Sequence, residues 1–242
     1  MKSLTRVILS ILVVGLVIIN APRIYAEDAP KQQPTDEKIV YLTFDDGPTR
    51  GVTDDIMDQL KKHDVKGTFF VVGKEIQDKE AVLKRMHEEG HGIGLHTYSH
   101  NYKKVYSSPD MFIKEMEETQ TKINEVLGED VKINYIRFPG GSAGRLNQDF
   151  YNLIKSKGYT IFDWNVNLED GVNPNASVYE LVENAKKARD KINTKIVLAH
   201  CNLNNKNTVK ALDGIIEYYK SQGYTFDKIT NDTPEYYYQF KK

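Results

Sequence analysis

A chain of 242 residues with 40% hydrophobic and 28% charged side chains is long enough for one domain with a real core. Its formal net charge of −1 lacks the basic excess of a nucleic-acid binder, so nucleic acid is excluded as a partner. The single cysteine, Cys201, rules out an intrachain disulfide framework.

Lys2 and Arg6 precede an apolar run over residues 7–19, and a polar, proline-bearing stretch follows. A basic start and a short apolar core read as a secretory signal, with cleavage after Ala26 in Ile24-Tyr25-Ala26. The run is shorter than the roughly 18 apolar residues expected of a membrane span. The alternative is an uncleaved membrane anchor through residues 7–19. On either reading the rest of the chain is exported, secreted or held at the cell surface. Residues 1–26 are thus a signal peptide or anchor, 27–37 a charged linker with Pro30 and Pro34, and 38–242 the domain.

The domain alternates regularly. A β-rich run over 39–44 is followed by a helix over 52–63, a strand over 67–72 and a helix over 81–89 that stops at Gly90. A strand over 92–95 leads to a long helix over 109–127, with Pro109 at its start and Gly128 at its end. A strand over 134–137, a helix over 147–157, a strand over 159–162 and a helix over 178–192 follow. An apolar strand over 194–199, a helix over 208–222 and a last strand over 224–226 complete the pattern. Alternating strands and helices with short connections imply parallel strands in βαβ units. The expected fold is α/β, a distorted or incomplete (β/α) barrel, with an open doubly wound sheet as the alternative. The Gly-x-Gly-x-x-Gly of a dinucleotide-binding sheet is missing after the first strand.

The unusual polar residues fall at one kind of position. Asp45 and Asp46 follow the first strand, and His96 and His100 the third. Arg137 ends the fourth, Asp163 the fifth and His200 the sixth. In a barrel the C-terminal strand ends form one face, where active sites are built. Thr43-Phe44-Asp45-Asp46-Gly47-Pro48 has turn chemistry, but two adjacent carboxylates repel and call for a metal or an arginine nearby. His96 and His100, four apart, share a face if they lie on a helical turn, and with one carboxylate they make a catalytic rather than structural ligand count. His87 reads as a solvated helix residue, and His91 as a structural histidine or one behind the site. Arg137 is placed to pair with one of the two aspartates, while Gly140 and Gly141 permit close backbone approach. Asp163, beside the only Trp, Trp164, is a candidate to orient His200 for acid–base work.

Thr43-Phe44-Asp45-Asp46-Gly47, His96-Thr97-Tyr98-Ser99-His100, Arg137-Phe138-Pro139, Asp163-Trp164 and Leu198-Ala199-His200 resemble, in order, the five motifs of the polysaccharide deacetylases, the NodB-homology domain of carbohydrate esterase family 4. The resemblance covers roughly residues 38–228. It implies a distorted barrel with Asp46, His96 and His100 as ligands of a divalent metal, Zn²⁺ first and Co²⁺, Mn²⁺ or Ni²⁺ next. It further implies Asp45 as general base with Arg137 as its partner, and His200 as general acid oriented by Asp163. Gly140 would offer a backbone N–H to the oxyanion, and Trp164 and Leu198 would line the slot for the acetyl methyl. Two departures stand out: Gly140 replaces the aromatic that many members carry after Arg-x-Pro, and Cys201 replaces an Asp after the last histidine.

The expected reaction is N-deacetylation of N-acetylglucosamine in peptidoglycan, by a monomer whose partner is the acetylated polysaccharide. An acetylxylan-type O-deacetylase and a catalytically dead wall-binding module are the alternatives. The intact motif set argues against the last. The tail over 233–242, with Tyr236-Tyr237-Tyr238, is expected to pack on the barrel or to be partly disordered.

Overall fold

The first strand, β1 (Ile39–Asp45), lies between parallel neighbours and is buried along almost its whole length, so both of its faces are covered. A strand covered in this way reads as a continuous apolar run rather than an alternating one. The structure, a computed structural model, describes residues 37–187 and 193–240. The expected signal or anchor over 1–26, nearly all of the linker, and the last part of the helix over 178–192 lie outside the described residues. No helix among the described residues is long and apolar enough to cross a membrane.

After β1 come helix α1 (Val52–Lys62), β2 (Thr68–Val71), α2 (Glu80–Glu88), β3 (Gly92–Leu95), a short α3 (Tyr102–Val105) and the long α4 (Pro109–Leu127). Then follow β4 (Tyr135–Ile136), α5 (Gln148–Ser156), β5 (Thr160–Ile161), β6 (Val166–Asn167), α6 (Val178–Lys186), β7 (Thr194–His200), α7 (Lys206–Ser221) and β8 (Thr225–Asp227). The helix ends follow local chemistry. The Ser108 side chain accepts the Met111 N–H at the start of α4, and Gly128 takes φ 74° at its end. Ser177 and Glu180 form a capping box on α6. The α3 turn and β6 were not foreseen, since two to four residues are too few to show a period.

The strands are all parallel, in the order β5-β4-β3-β2-β1-β7-β6. Taken around a ring, this is sequence order, broken only between β5 and β6. Right-handed crossovers that keep adding strands in sequence put their helices on the same outer face. The sheet therefore curls into a half-barrel, and the doubly wound alternative does not hold. β8 lies beside the first half of β1, pairing Ile39 with Thr225, while β2 pairs with the second half. From β8 the tail passes the start of β3 and reaches the open edge at β5, where Tyr236 bridges Phe162 in parallel. The described part of the tail, to residue 240, thus packs on the barrel.

Candidate active site

Asp45 and Asp46 are adjacent, and in an extended strand their side chains would point to opposite faces. Asp46 instead takes φ 75°, which breaks the alternation at the strand end. Aspartate tolerates this region better than most residues. Asp45 is buried, and its Oδ1 accepts from Arg137 Nη1 at 2.8 Å. Arg137 is itself fully buried, and each of its three nitrogens donates. Nη1 also reaches Thr43 Oγ1 (2.6 Å), Nε reaches Phe162 O (2.8 Å) and Nη2 reaches Asp163 O (3.3 Å), while the guanidinium lies 4.1 Å over the Phe70 ring. Burial pushes the Asp45 carboxyl above its ordinary pKa; the neighbouring Arg137 charge opposes this without cancelling it.

His96 follows β3, and its Nδ1 donates to Arg137 O at 2.9 Å, because a carbonyl can only accept. That fixes the tautomer and leaves a lone pair on Nε2. Burial lowers its pKa to about 3, so the ring is neutral. Its Nε2 is 3.6 Å from Asp46 Oδ1 and 3.7 Å from Asp45 Oδ2, and His100 Nε2 is 3.2 Å from Asp46 Oδ1. Asn202 Nδ2 donates to the other Asp46 oxygen at 3.3 Å. Asp46, His96 and His100 each bring a ligand atom within 4.8 Å of the others. One carboxylate and two neutral-capable imidazoles suit a divalent transition metal, so the residues fit such an ion. The histidines are not on a helical turn, however. Residues 96–100 form an irregular loop, with Thr97 at φ 67° and His100 at φ 50°.

His200 ends β7 directly opposite Asp45 of β1, so the two side chains share a face. Its partner corrects the sequence reading. Asp170, not Asp163, accepts from His200 Nδ1 at 2.8 Å, from the His200 N–H at 2.9 Å and from Thr208 Oγ1 at 2.7 Å. Burial alone would lower the His200 pKa; the hydrogen bond to Asp170 and its charge outweigh this, with Asp45 and Asp46 adding, and raise it to about 9. Asp163 is fully buried and occupied elsewhere. It accepts from Ser142 N–H at 2.9 Å, from Ser142 Oγ and from Tyr238 N–H at 2.8 Å. The reason is topological: the chain runs on from β5 to pair β6 with β7, which carries Asp170 to the His200 side of the opening and leaves Asp163 at β5.

Gly140 is exposed with φ 72°, and a side chain there would meet the Tyr102 hydroxyl at 2.8 Å. Tyr102 stands edge-on to His100, and Arg145 lies 5.4 Å over its ring. Trp164 packs beside Gly141, and its carbonyl accepts from Tyr238 Oη at 2.9 Å. Leu198 is buried two residues before His200 on the same face of β7. Cys201 is buried, with Sγ 3.3 Å from Asp45 O, and burial raises its thiol pKa, so it is inert. His91 lies at the opposite end of β3 from His96, accepts from Gly67 N–H at 3.2 Å, and stays neutral with a pKa lowered to about 4, mainly by burial. His87 pairs with Glu129 at 2.7 Å. A cleft of about 630 Å³ opens beside Asp46 and His100, lined also by Arg50, Lys74, Asn202 and Leu203. Asp170, Asn202 and Tyr102 escaped the sequence reading. Of these only Asp170 left a signal there, as an acid beside a turn glycine in a stretch without a predicted element.

The polysaccharide deacetylase family pattern matches residues 32–162. A peptidoglycan-N-acetylglucosamine deacetylase of Bacillus cereus is 31% identical over 79% of this chain and 69% of its own length. A peptidoglycan-N-acetylmuramic acid deacetylase of Bacillus subtilis is 35% identical over 81% of this chain and 71% of its own. Among solved structures, the catalytic domain of a peptidoglycan N-acetylglucosamine deacetylase from Eubacterium rectale superposes with a TM-score of 0.78 at 29% identity, covering 89% of this chain and 99% of that one.

Proposed function

The chain belongs to the polysaccharide deacetylase family, and from that premise we propose that it hydrolyses N-acetyl groups from N-acetylglucosamine residues of peptidoglycan. The observation that carries this reading is the convergence of three metal-ligand candidates with two separately partnered titratable groups, Asp45 on Arg137 and His200 on Asp170. The relatives named above act on peptidoglycan, and this supports an extracytoplasmic site of action. In the same reading residues 1–26 deliver or anchor the chain outside the membrane, and the domain of residues 38–242 works as a monomer.

Asp46, His96 and His100 would hold a divalent ion, with Zn²⁺ the best match to one oxygen and two nitrogen donors. Such an ion, when bound, supplies Lewis acidity to the acetyl carbonyl and to the attacking water. Asp45 takes the proton of that water at Oδ2, since Oδ1 is held by Arg137. Its raised pKa brings it closer to the working pH of a base. The Gly140 N–H donates to the oxyanion that develops on the carbonyl. His200, with Nδ1 on Asp170, gives the proton on Nε2 to the sugar nitrogen as the C–N bond breaks, releasing acetate and the free amine. Trp164 and Leu198 enclose the acetyl methyl.

The test is acetate release from N-acetylglucosamine oligomers by the purified protein, with chelator and then with Zn²⁺ restored. Release that stops with chelator and returns with metal is expected. Failure to release acetate from oligomers and from peptidoglycan under any divalent metal would overturn the assignment.

A further inference from the structure

The loop carrying His96 and His100 needs outside support, because Thr97 and His100 hold positive φ without being glycine. Such residues keep that conformation only where the surroundings impose it. Part of the support is backbone: Thr97 O and Tyr98 O accept from the N–H groups of Gly73 (3.0 Å) and Lys74 (2.9 Å). Within the loop the His100 N–H donates to Thr97 Oγ1 (3.2 Å) and the Asn101 N–H to Ser99 Oγ (3.3 Å), and from outside it one side chain adds its carboxylate. The N–H groups of Tyr98 and Ser99 both donate to Glu115 Oε2, at 3.0 and 2.6 Å. Ser99 Oγ (3.1 Å) and Lys104 Nζ (2.6 Å) donate to its other oxygen.

Glu115 sits on α4 among Phe112, Ile113, Met116, Thr119 and Ile123, and it is fully buried. A carboxylate in an apolar stripe is costly unless both oxygens are satisfied. Among the described residues the donors to the Glu115 carboxylate, two backbone N–H groups and two side chains, all come from residues 98–104, so it serves the loop and not the helix. Burial would raise its pKa, but the bonds from Lys104 and Ser99 outweigh this and keep it below the ordinary value, hence ionised. His96 has its own anchors, its N–H on Val71 O (2.9 Å) and its Nδ1 on Arg137 O (2.9 Å). The ligand whose place depends on the 97–99 turn is His100.

We propose that Glu115 is a positioning residue for the metal centre: its carboxylate fixes the Tyr98–Ser99 turn and so sets His100 at binding distance from Asp46 and His96. The inference rests on the reading of those three residues as ligands. Without Glu115, two amides lose their partners, the turn repacks and His100 swings away from the other two ligands.

The test is Zn²⁺ titration by calorimetry on the whole chain after chelator treatment, with the melting temperature of each metal-free variant recorded alongside. Glu115→Ala should weaken Zn²⁺ binding by about 10–100-fold, the range expected when support behind a ligand is removed. Lys104→Ala, which removes only an exposed partner, should stay within about threefold. A folded Glu115→Ala protein that binds Zn²⁺ as the wild type does overturns the proposal, whatever its melting temperature. If Glu115→Ala does not fold, Glu115→Asp decides: withdrawing the carboxylate by one methylene should weaken binding several-fold, and wild-type affinity overturns the proposal. If wild-type protein binds Zn²⁺ no better than His100→Ala, the ligand reading itself fails, and Glu115 falls with it.

Discussion

Asp163 and Asp170 lie seven residues apart, are equally buried, and each carboxylate accepts three hydrogen bonds from elsewhere in the chain, yet they belong to different parts of the machine. Among the described residues the Asp163 carboxylate is met by neutral donors, from the loop after Arg137 and from the C-terminal tail. Asp170 is met by an imidazole that can carry charge. Burial and full hydrogen bonding say only that a carboxylate is ordered. Whether it tunes chemistry depends on whether its partner titrates.

The largest expected effect lies on the Asp170 side. Asp170→Asn should lower deacetylation turnover by about 10²–10⁴-fold, since general acid catalysis contributes in that range. The pH profile should change with it. His200 must be protonated to act as an acid, so activity falls as pH rises through its pKa of about 9. Without the Asp170 charge that pKa drops, and the alkaline limb moves to lower pH. Asp163→Asn should leave the alkaline limb in place. A shared shift in both variants would break the distinction between the two aspartates.

Gly171, the next residue, sharpens the same contrast. A Cβ there would lie 2.3 Å from His200 Cε1, so Gly171→Ala must displace either the ring or the backbone next to Asp170, and both disturb the bond between them. A displacement of that size should cost about 10²-fold in turnover, with the alkaline limb again lowered. Wild-type rates in this variant would show that the ring position is not critical.

On the Asp163 side the effects fall on stability. Asp163→Asn replaces an acceptor of three bonds by a side chain that matches them poorly, and should cost about 2 kcal/mol in denaturant unfolding. Tyr238→Phe removes the bond from Tyr238 Oη to Trp164 O and should cost about 1 kcal/mol, with the pH profile unchanged. If Tyr238→Phe cut turnover as deeply as Asp170→Asn, the tail would have to be counted with the reacting groups.

Much of this protein was legible in its sequence because the signals are local. The apolar runs of β1 and β7, the leading proline and closing glycine of α4, and the turn residues after β1 act over a few residues, so they mark the elements directly. With the strands located, the placing of Asp45, Asp46, His96, Arg137 and His200 at their C-terminal ends follows from counting alone. What only the tertiary structure decided involves contacts between distant segments or strands too short to have a period. The two-residue β6 carries Asp170 to His200, the tail brings Tyr238 to Asp163, and α4 brings Glu115 to the loop of the histidines. In each case a buried carboxylate takes as its partner whichever donor the folded chain brings within hydrogen-bond reach, and spacing along the sequence carries no record of that distance.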